Sequence, residues 1–372
     1  MCKQIASAIV IFVLLGFTGC QKFGESVDSA VKVDLPERSP GAYLFDHYLN
    51  NLKSELISKS DVVSSKVLPC SFCTFLTTGE FLSNQEGSLT FWNSDGSQRW
   101  EKRIAVHHDL FLDEGLKEIF LVVGDISPGP EGKRKRIDEI HGYNFAGKQI
   151  FYWSFLENKS SLEKIYGDEI NLRSAENYWE YSHFNSVQSI PDNHLAKRSS
   201  VFQAGNILVN DYWNNIVFII DRKSKRIVWS LGGESDRKFW HSVRLLPGGE
   251  IVAFQNKILP THEAGAATVK ESSVVFLNPV TKAVVHKISK IGGKEFFSDL
   301  WGSLQVLSEN RFVVTISEQG EAFEIDRSGK VYWHWQNRRS KDPKDHAVYR
   351  VSLIPQEVID SNSLWIKTYL KE

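Results

Sequence analysis

Imidazole can donate, accept or attack near neutral pH, because its reference pKa lies near 6.5. Four histidines of this 372-residue chain, His107, His108, His183 and His241, fall at one phase of a recurring phrase. Clustered, such side chains can activate an acceptor hydroxyl, hold an oxyanion or become covalently modified. Three histidines also suit zinc, and their placement on different repeat units neither supports nor excludes it; no metal and no cofactor is assigned. A lone histidine is ordinarily a satisfied surface or core residue. The shared phase sets these apart.

The phrase is a short apolar strand that begins at a polar, small or aromatic residue. It reads His107-His108-Asp109-Leu110, then Asn185-Ser186-Val187-Gln188-Ser189-Ile190-Pro191, then His241-Ser242-Val243-Arg244-Leu245-Leu246-Pro247. Gly302-Ser303-Leu304-Gln305-Val306-Leu307 and Tyr349-Arg350-Val351-Ser352-Leu353-Ile354-Pro355 follow. His183 lies two residues before Asn185 and shares its face if the segment is extended. His346 lies three before Tyr349. Repeat units set around an axis would bring these starts into one pocket.

The scaffold for such a pocket is visible as repeated hairpins. Phe91 to Gly96 leads to Trp100, and Tyr143 to Lys148 leads to Trp153. Phe218 to Lys225 leads to Trp229, Val275 to Lys282 to His286, and Phe323 to Lys330 to Trp333 and Trp335. In each, an apolar strand meets a tight turn and a second strand closes the hairpin. Five units of about four antiparallel strands are clear. A sixth is suggested by residues 349–354 and 364–370, completed by N-terminal sequence. The pattern predicts an all-β fold, a six-bladed β-propeller over residues 61–372. The first strand of each blade is then innermost, with its start facing the channel. Segments 157–182 and 257–271 are expected as loops over one mouth. A β-sandwich would not explain five units in one phase.

Composition bounds the remainder. Lys+Arg 44 against Asp+Glu 45 leaves a net charge of -1 and no global field that invites nucleic acid. The basic run Lys133-Arg134-Lys135-Arg136 reads as a solvated hairpin loop. Lys3 is the only charge before an apolar run from Ile5 to Phe17, too short to span a bilayer and suited to a signal peptide over residues 1–19. The run ends in Phe17-Thr18-Gly19-Cys20, which resembles the bacterial lipoprotein cleavage box and makes Cys20 the lipidation site. The expected location is the bacterial cell envelope, and by resemblance to enteric lipoprotein sorting, Gln21 after the cysteine implies a lipid anchor in the outer membrane. Residues 20–41 read as a linker. Phe45, Tyr48, Leu49, Leu52 and Leu56 have helical spacing, so residues 42–60 are expected as an amphipathic helix. Cys70 and Cys73 are spaced C-x-x-C, but Thr74-Phe75-Leu76 reads as strand. That favours two strand cysteines or a structural disulfide over a redox motif.

At this point the residues resemble a family. His183-Phe184-Asn185-Ser186-Val187, Gly205 to Val209, Ile219 to Lys223 and Val228-Trp229-Ser230-Leu231-Gly232-Gly233 are similar to the centre of the bacterial arylsulfotransferases. Phe239-Trp240-His241-Ser242, Phe254-Gln255-Asn256, Gly302 to Leu307 and His107-His108-Asp109 resemble further marks of that family. The resemblance covers roughly residues 75–370, a divergent member's share of the motifs. It implies a six-bladed propeller that moves a sulfuryl group from a phenolic sulfate ester to a phenol without a nucleotide donor. It implies His241 as the nucleophile, His183 and Asn185 as ligands of the sulfuryl oxygens, and His108 as base or sulfate ligand. His107, Tyr212, Trp240 and Tyr349 join the expected substrate-binding set.

Departures accompany the resemblance. The family's channel arginine is matched here by Tyr212, its aspartate after the nucleophile by Ser242, and the glutamine before it by Trp240. Loss of one strong anion ligand typically costs about 3–4 kcal/mol of transition-state stabilisation. Aromatic Tyr212, Trp213, Trp240 and Trp301 would suit a planar or sugar ligand. Two further functions are therefore carried: a non-catalytic, lipid-anchored propeller that binds a small ligand or envelope partner, and a transferase or hydrolase acting on a sulfated glycan.

Overall fold

Every hairpin expected from the repeats forms an antiparallel pair. Phe91 lies opposite Trp100, Ile140 opposite Trp153, Ile219 opposite Trp229, Phe276 opposite His286 and Glu324 opposite Trp333. The turns close by side-chain acceptance of backbone N–H groups, which is why Asp and Asn begin them. Asp95 accepts from Ser97, Asn144 from Ala146, Asp221 from Ser224, Asn278 from Val280 and Asp326 from Ser328.

The computed structural model describes residues 30–35, 37–46, 54–57, 63–68, 72–85, 87–174, 178–233, 239–259, 269–337 and 346–361. The protein is an all-β propeller with few helices. Five blades are each built around four consecutive strands, and the fifth gains Ala30–Asp34 beside Val331–Gln336. Their inner strands are Phe72–Phe75, Val106–Asp113, Phe184–Ser189, Trp240–Leu245 and Ser303–Ser308. Among the described residues five such blades are found, where the sequence suggested six. A further four-stranded sheet joins the two ends of the chain, in the order Arg350–Pro355, Gly41–Asp46, Ser54–Ile57, Val63–Leu68. Hydrophobic cores lie between neighbouring sheets, each dominated by large side chains such as Phe120, Trp153, Phe184 and Phe218 between the second and third blades. Fully burying such a side chain contributes about 1.5–3 kcal/mol.

Two devices stitch blade to blade. The indole N–H on the outer strand donates to a turn carbonyl of the next blade: Trp100 to Phe145, Trp153 to Lys225, Trp229 to Pro279. His286 takes the same place in the fourth blade and reaches the Arg327 carbonyl at 2.7 Å. On the inside, second-strand asparagines donate to the carbonyl near the start of the next inner strand. Asn84 reaches Val106, Asn210 reaches Trp240 and Asn256 reaches Trp301.

Three expectations are corrected. The helix expected over 42–60 is not what the described residues of that segment form: Gly41–Asp46 and Ser54–Ile57 are strands, and Ala42, Tyr43, Leu44 and Phe45 are all buried, a continuous apolar run that both faces of a sheet absorb. Segment 157–182 is not a plain loop, since Phe155–Tyr166 is a helix that docks Phe155 and Leu162 against the second and third blades, and Arg173–Ser174 and Tyr178–Glu180 are strands added to the second blade. The basic run is not a loop either. Arg134–Asn144 pairs with Glu118–Pro128 over eleven residues on each side, and Lys133 alone precedes the strand. Cys73 is disulfide-bonded, as one of the two readings had it; Cys70, Cys20 and residues 1–29 lie outside the described residues.

Gly302 has φ +100, and a Cβ there would lie 2.3 Å from the Phe254 ring, which is fully buried. Gly302→Ala should therefore destabilise the fold by about 2 kcal/mol or more, through backbone strain and overpacking together. A urea titration followed by tryptophan fluorescence checks this; an unchanged midpoint would contradict it.

Candidate active site

The inner strands of the second to fifth blades, with Arg350–Pro355, pack in sequence around the axis, so their starts do converge. Local irregularity then aims the side chains. In the second blade the ladder register shifts between Leu121 and Val123, opposite the two histidines, and His108 has φ 59. In the fourth it shifts between His241 and Arg244, and Ser242 has φ 51. Such bulges turn consecutive residues to one side of a strand, where strict alternation would part them. That is how adjacent His107 and His108 come to lie with ring centroids 4.7 Å apart.

The rings form a row. His108 lies 4.4 Å from His183, His183 6.1 Å from Tyr212, and Tyr212 4.7 Å from His241, centroid to centroid. Tyr349 joins through its hydroxyl, 3.0 Å from His108 Nδ1. Burial is the first cause that lowers the basicity of His107 and His108, and neighbouring positive groups add to it in His108. Burial also pulls His241 down to about 4, against the hydrogen bond to Asn256. These imidazoles are neutral at pH 7.

Hydrogen bonds fix which nitrogen carries the proton. The Asn256 amide N–H2 donates to the carbonyls of Ser298 and Trp301, which leaves only Oδ1 to face His241. His241 Nδ1 lies 2.6 Å from that oxygen and so must be the donor, leaving the lone pair on Nε2. Asp138 accepts from Ser182 Oγ and the Phe184 N–H, and His107 Nε2 lies 2.9 Å away. Burial acts to raise Asp138, but His107, Arg136 and His183 together outweigh it and the carboxyl stays ionised. His107 therefore donates through Nε2. Its Nδ1, like His108 Nε2, is buried without a hydrogen-bond partner among the described residues.

Two residues of the expected set serve the scaffold as well. Asn185 gives one amide hydrogen to the Trp240 carbonyl and accepts from Asn210, so much of its capacity is spent between blades. Trp240 is corrected: its ring is 3% exposed and packs in the core between the third and fourth blades with Leu208 and Val243, so it offers the channel no stacking face.

Three charged residues were missed. Arg136 lies with its Nη2 2.7 Å from Glu180 and 3.0 Å from His183 Nδ1, and Glu180 Oε2 lies 2.8 Å from the same nitrogen. One nitrogen cannot donate and accept at once, and the carboxylate is the stronger claimant, so His183 Nδ1 donates to Glu180. Asp138 completes the group. Arg136 and Asp138 are two apart on one strand, a shared face that strand periodicity reveals once the segment is known to be extended.

Comparison with known proteins agrees with this architecture. The family described as Arylsulfotransferase (ASST) matches residues 137–338. No curated protein matches the chain. Among solved structures, a protein of unknown function from Bacteroides caccae is 16% identical, covers 84% of this chain and 98% of its own, and superimposes with a TM-score of 0.50, a likeness of fold. Kuenenia stuttgartiensis hydrazine synthase is 9% identical over 74% of this chain and 70% of that one, with a TM-score of 0.43.

The lowered His241 sets a stability slope. Its unfolded value is near 6.5 and its folded value about 4, so its contribution is full above 6.5 and is lost as the pH falls toward and through 4. Buried Asp211, raised to about 6 by desolvation, acts with the opposite sign in part of the same window. The difference between the parent and His241→Gln isolates the histidine. Denaturant titrations from pH 7 to 4 should show the parent losing stability faster than the variant; parallel curves would contradict a buried neutral His241.

Proposed function

The chain belongs to the arylsulfotransferase family, and from that premise we propose that it transfers a sulfuryl group from a phenolic sulfate ester to a phenolic acceptor through a transient sulfo-histidine at His241, with no nucleotide donor. The observation that carries this is the oriented neutral imidazole. Asn256 claims the Nδ1 proton, and the Nε2 lone pair is left for attack.

In the first half of the exchange, Nε2 of His241 bonds to sulfur and the S–O bond to the aryl group breaks, the aryloxide leaving with the electron pair. The ring becomes cationic while Asn256 Oδ1 still accepts its Nδ1–H, which stabilises that charge. In the second half, the acceptor phenol gives its proton to His108 Nε2 and its oxygen bonds to sulfur. The S–N bond breaks and the pair returns to His241. His108 then passes the proton to the departed aryloxide or to water. His183 and Asn185 contact the sulfuryl oxygens in this scheme, and Tyr212, His107 and Tyr349 shape the surrounding wall.

We further propose that the sheet joining Arg350–Pro355 to Gly41–Asp46 serves as a sixth blade. It is supported by the cores it makes with the fifth blade, through Tyr43 and Trp333, and with the first, through Leu44 and Cys73. The lipoprotein signal motif at Cys20 supports an anchor in the bacterial outer membrane. A second reading, a propeller that binds a ligand without turnover, is favoured by Tyr212 and Ser242 in place of charged residues and by the carboxylates of Asp138 and Glu180 beside the histidines.

With 4-nitrophenyl sulfate as donor and phenol as acceptor, the chain should release nitrophenol and form phenyl sulfate. His241→Ala should slow that release by about a thousandfold or more, as removal of a covalent nucleophile does. Turnover unaltered by the substitution would reject the scheme; no turnover by the parent with a broad set of aryl sulfates would favour the second reading.

A further inference from the structure

We infer that Arg136 holds the anionic sulfuryl group beside the histidines, supplying from the second blade the positive charge that Tyr212 does not provide; this rests on reading the site as one for aryl sulfates. A sulfuryl group in transfer keeps negative charge on its oxygens, and a site stabilises it with fixed donors and cations. His107, His108 and His241 are held neutral by burial, so they bring donors and lone pairs but no fixed charge. Arg136 brings a guanidinium into contact with this cluster, with its side chain only 12% exposed.

The surrounding structure admits and aims it. Gly124 lies opposite Asp138 in the paired strand, and a Cβ there would come within 2.7 Å of Arg136 Cδ and 3.2 Å of the His107 ring. The absent side chain at residue 124 is thus the passage through which the arginine reaches the histidines. The added strand Tyr178–Glu180 runs parallel to Arg134–Arg136 and puts Glu180 in register with Arg136, while the Tyr178 ring lies 5.3 Å from the guanidinium carbon. The ion pair with Glu180 engages Nη2 and leaves other donors. A guanidinium has five N–H groups, and Arg136 Nε is buried with no hydrogen-bond partner among the described residues, its closest carboxylate oxygen on Asp138 at 3.8 Å. Glu180 fixes the plane of the guanidinium and the tautomer of His183 together, so the cation and the imidazole present their remaining edges as one unit.

Binding to the whole chain carrying His241→Ala separates this role from turnover. Calorimetric titration with 4-nitrophenyl sulfate compares that background with added Arg136→Gln, and with Arg136→Gln and Glu180→Gln together, which removes both charges and leaves no bare carboxylate. Circular dichroism confirms folding. The expected result is affinity for the sulfate ester weakened at least about tenfold in both, with 4-nitrophenol bound as before. Equal affinity in the double variant, or recovery there of what the single variant lost, overturns the assignment of Arg136 while the aryl-sulfate reading stands. No binding of the ester by the His241→Ala background overturns both.

Discussion

A second-strand asparagine that crosses to the next blade is the contact on which the site depends. Inner-strand carbonyls at the channel cannot all be satisfied within their own sheet, and an unpaired buried carbonyl costs about as much as a lost hydrogen bond. Asn84, Asn210 and Asn256 answer this at one phase of three blades, and Gln188 and Gln305 do so lower in the channel, where each brackets a leucine of the neighbouring sheet through both its N–H and its carbonyl. In the fourth blade the same device acquires chemistry. Asn256 cannot rotate without releasing two carbonyls, so its oxygen is held against His241 by the architecture that joins the blades.

The electrostatic balance of the channel follows from which groups are buried in pairs. Asp138 with His107, and Glu180 with Arg136 and His183, form a polar layer beneath the row of rings. The contacts of Asp138 with His107, Arg136 and His183 keep its carboxyl ionised, and burial leaves His107, His108 and His241 neutral. The pairing also decides tautomers: His107 turns Nε2–H to Asp138, His183 turns Nδ1–H to Glu180, and His241 turns Nδ1–H to Asn256. Each ring thus keeps a defined free edge, which a set of unconstrained histidines would not.

Much of this was legible in the sequence because the repeat is written in turn residues and aromatic punctuation. Asp or Asn at the turn marks five hairpins and Trp on the closing strand four of them, and in the first three blades the indole N–H has a carbonyl of the next blade to reach. His286 shows the constraint is the donor rather than the indole. What escaped reading depends on tertiary context. Residues 42–60 carry apolar side chains at spacings that fit a helix, yet Gly41–Asp46 pairs with Arg350–Pro355 some 300 residues along the chain, a partnership no local period encodes. Arg136 sits within four consecutive basic residues, which read as solvated until the eleven-residue pairing of its strand buries it. Trp240 stands next to His241 and was grouped with it, but the bulge that turns His241 to the channel leaves Trp240 facing the core.

The central claim is that His241 carries the sulfuryl group between donor and acceptor. The most direct measurement mixes the whole chain with 4-nitrophenyl sulfate in the absence of acceptor, quenches rapidly, and reads intact mass and then peptide fragments. The account expects a gain of one sulfuryl group, localised to the peptide that contains His241 and discharged when phenol is added before the quench. Nitrophenol release with no sulfuryl group on His241 at any quench time would contradict it.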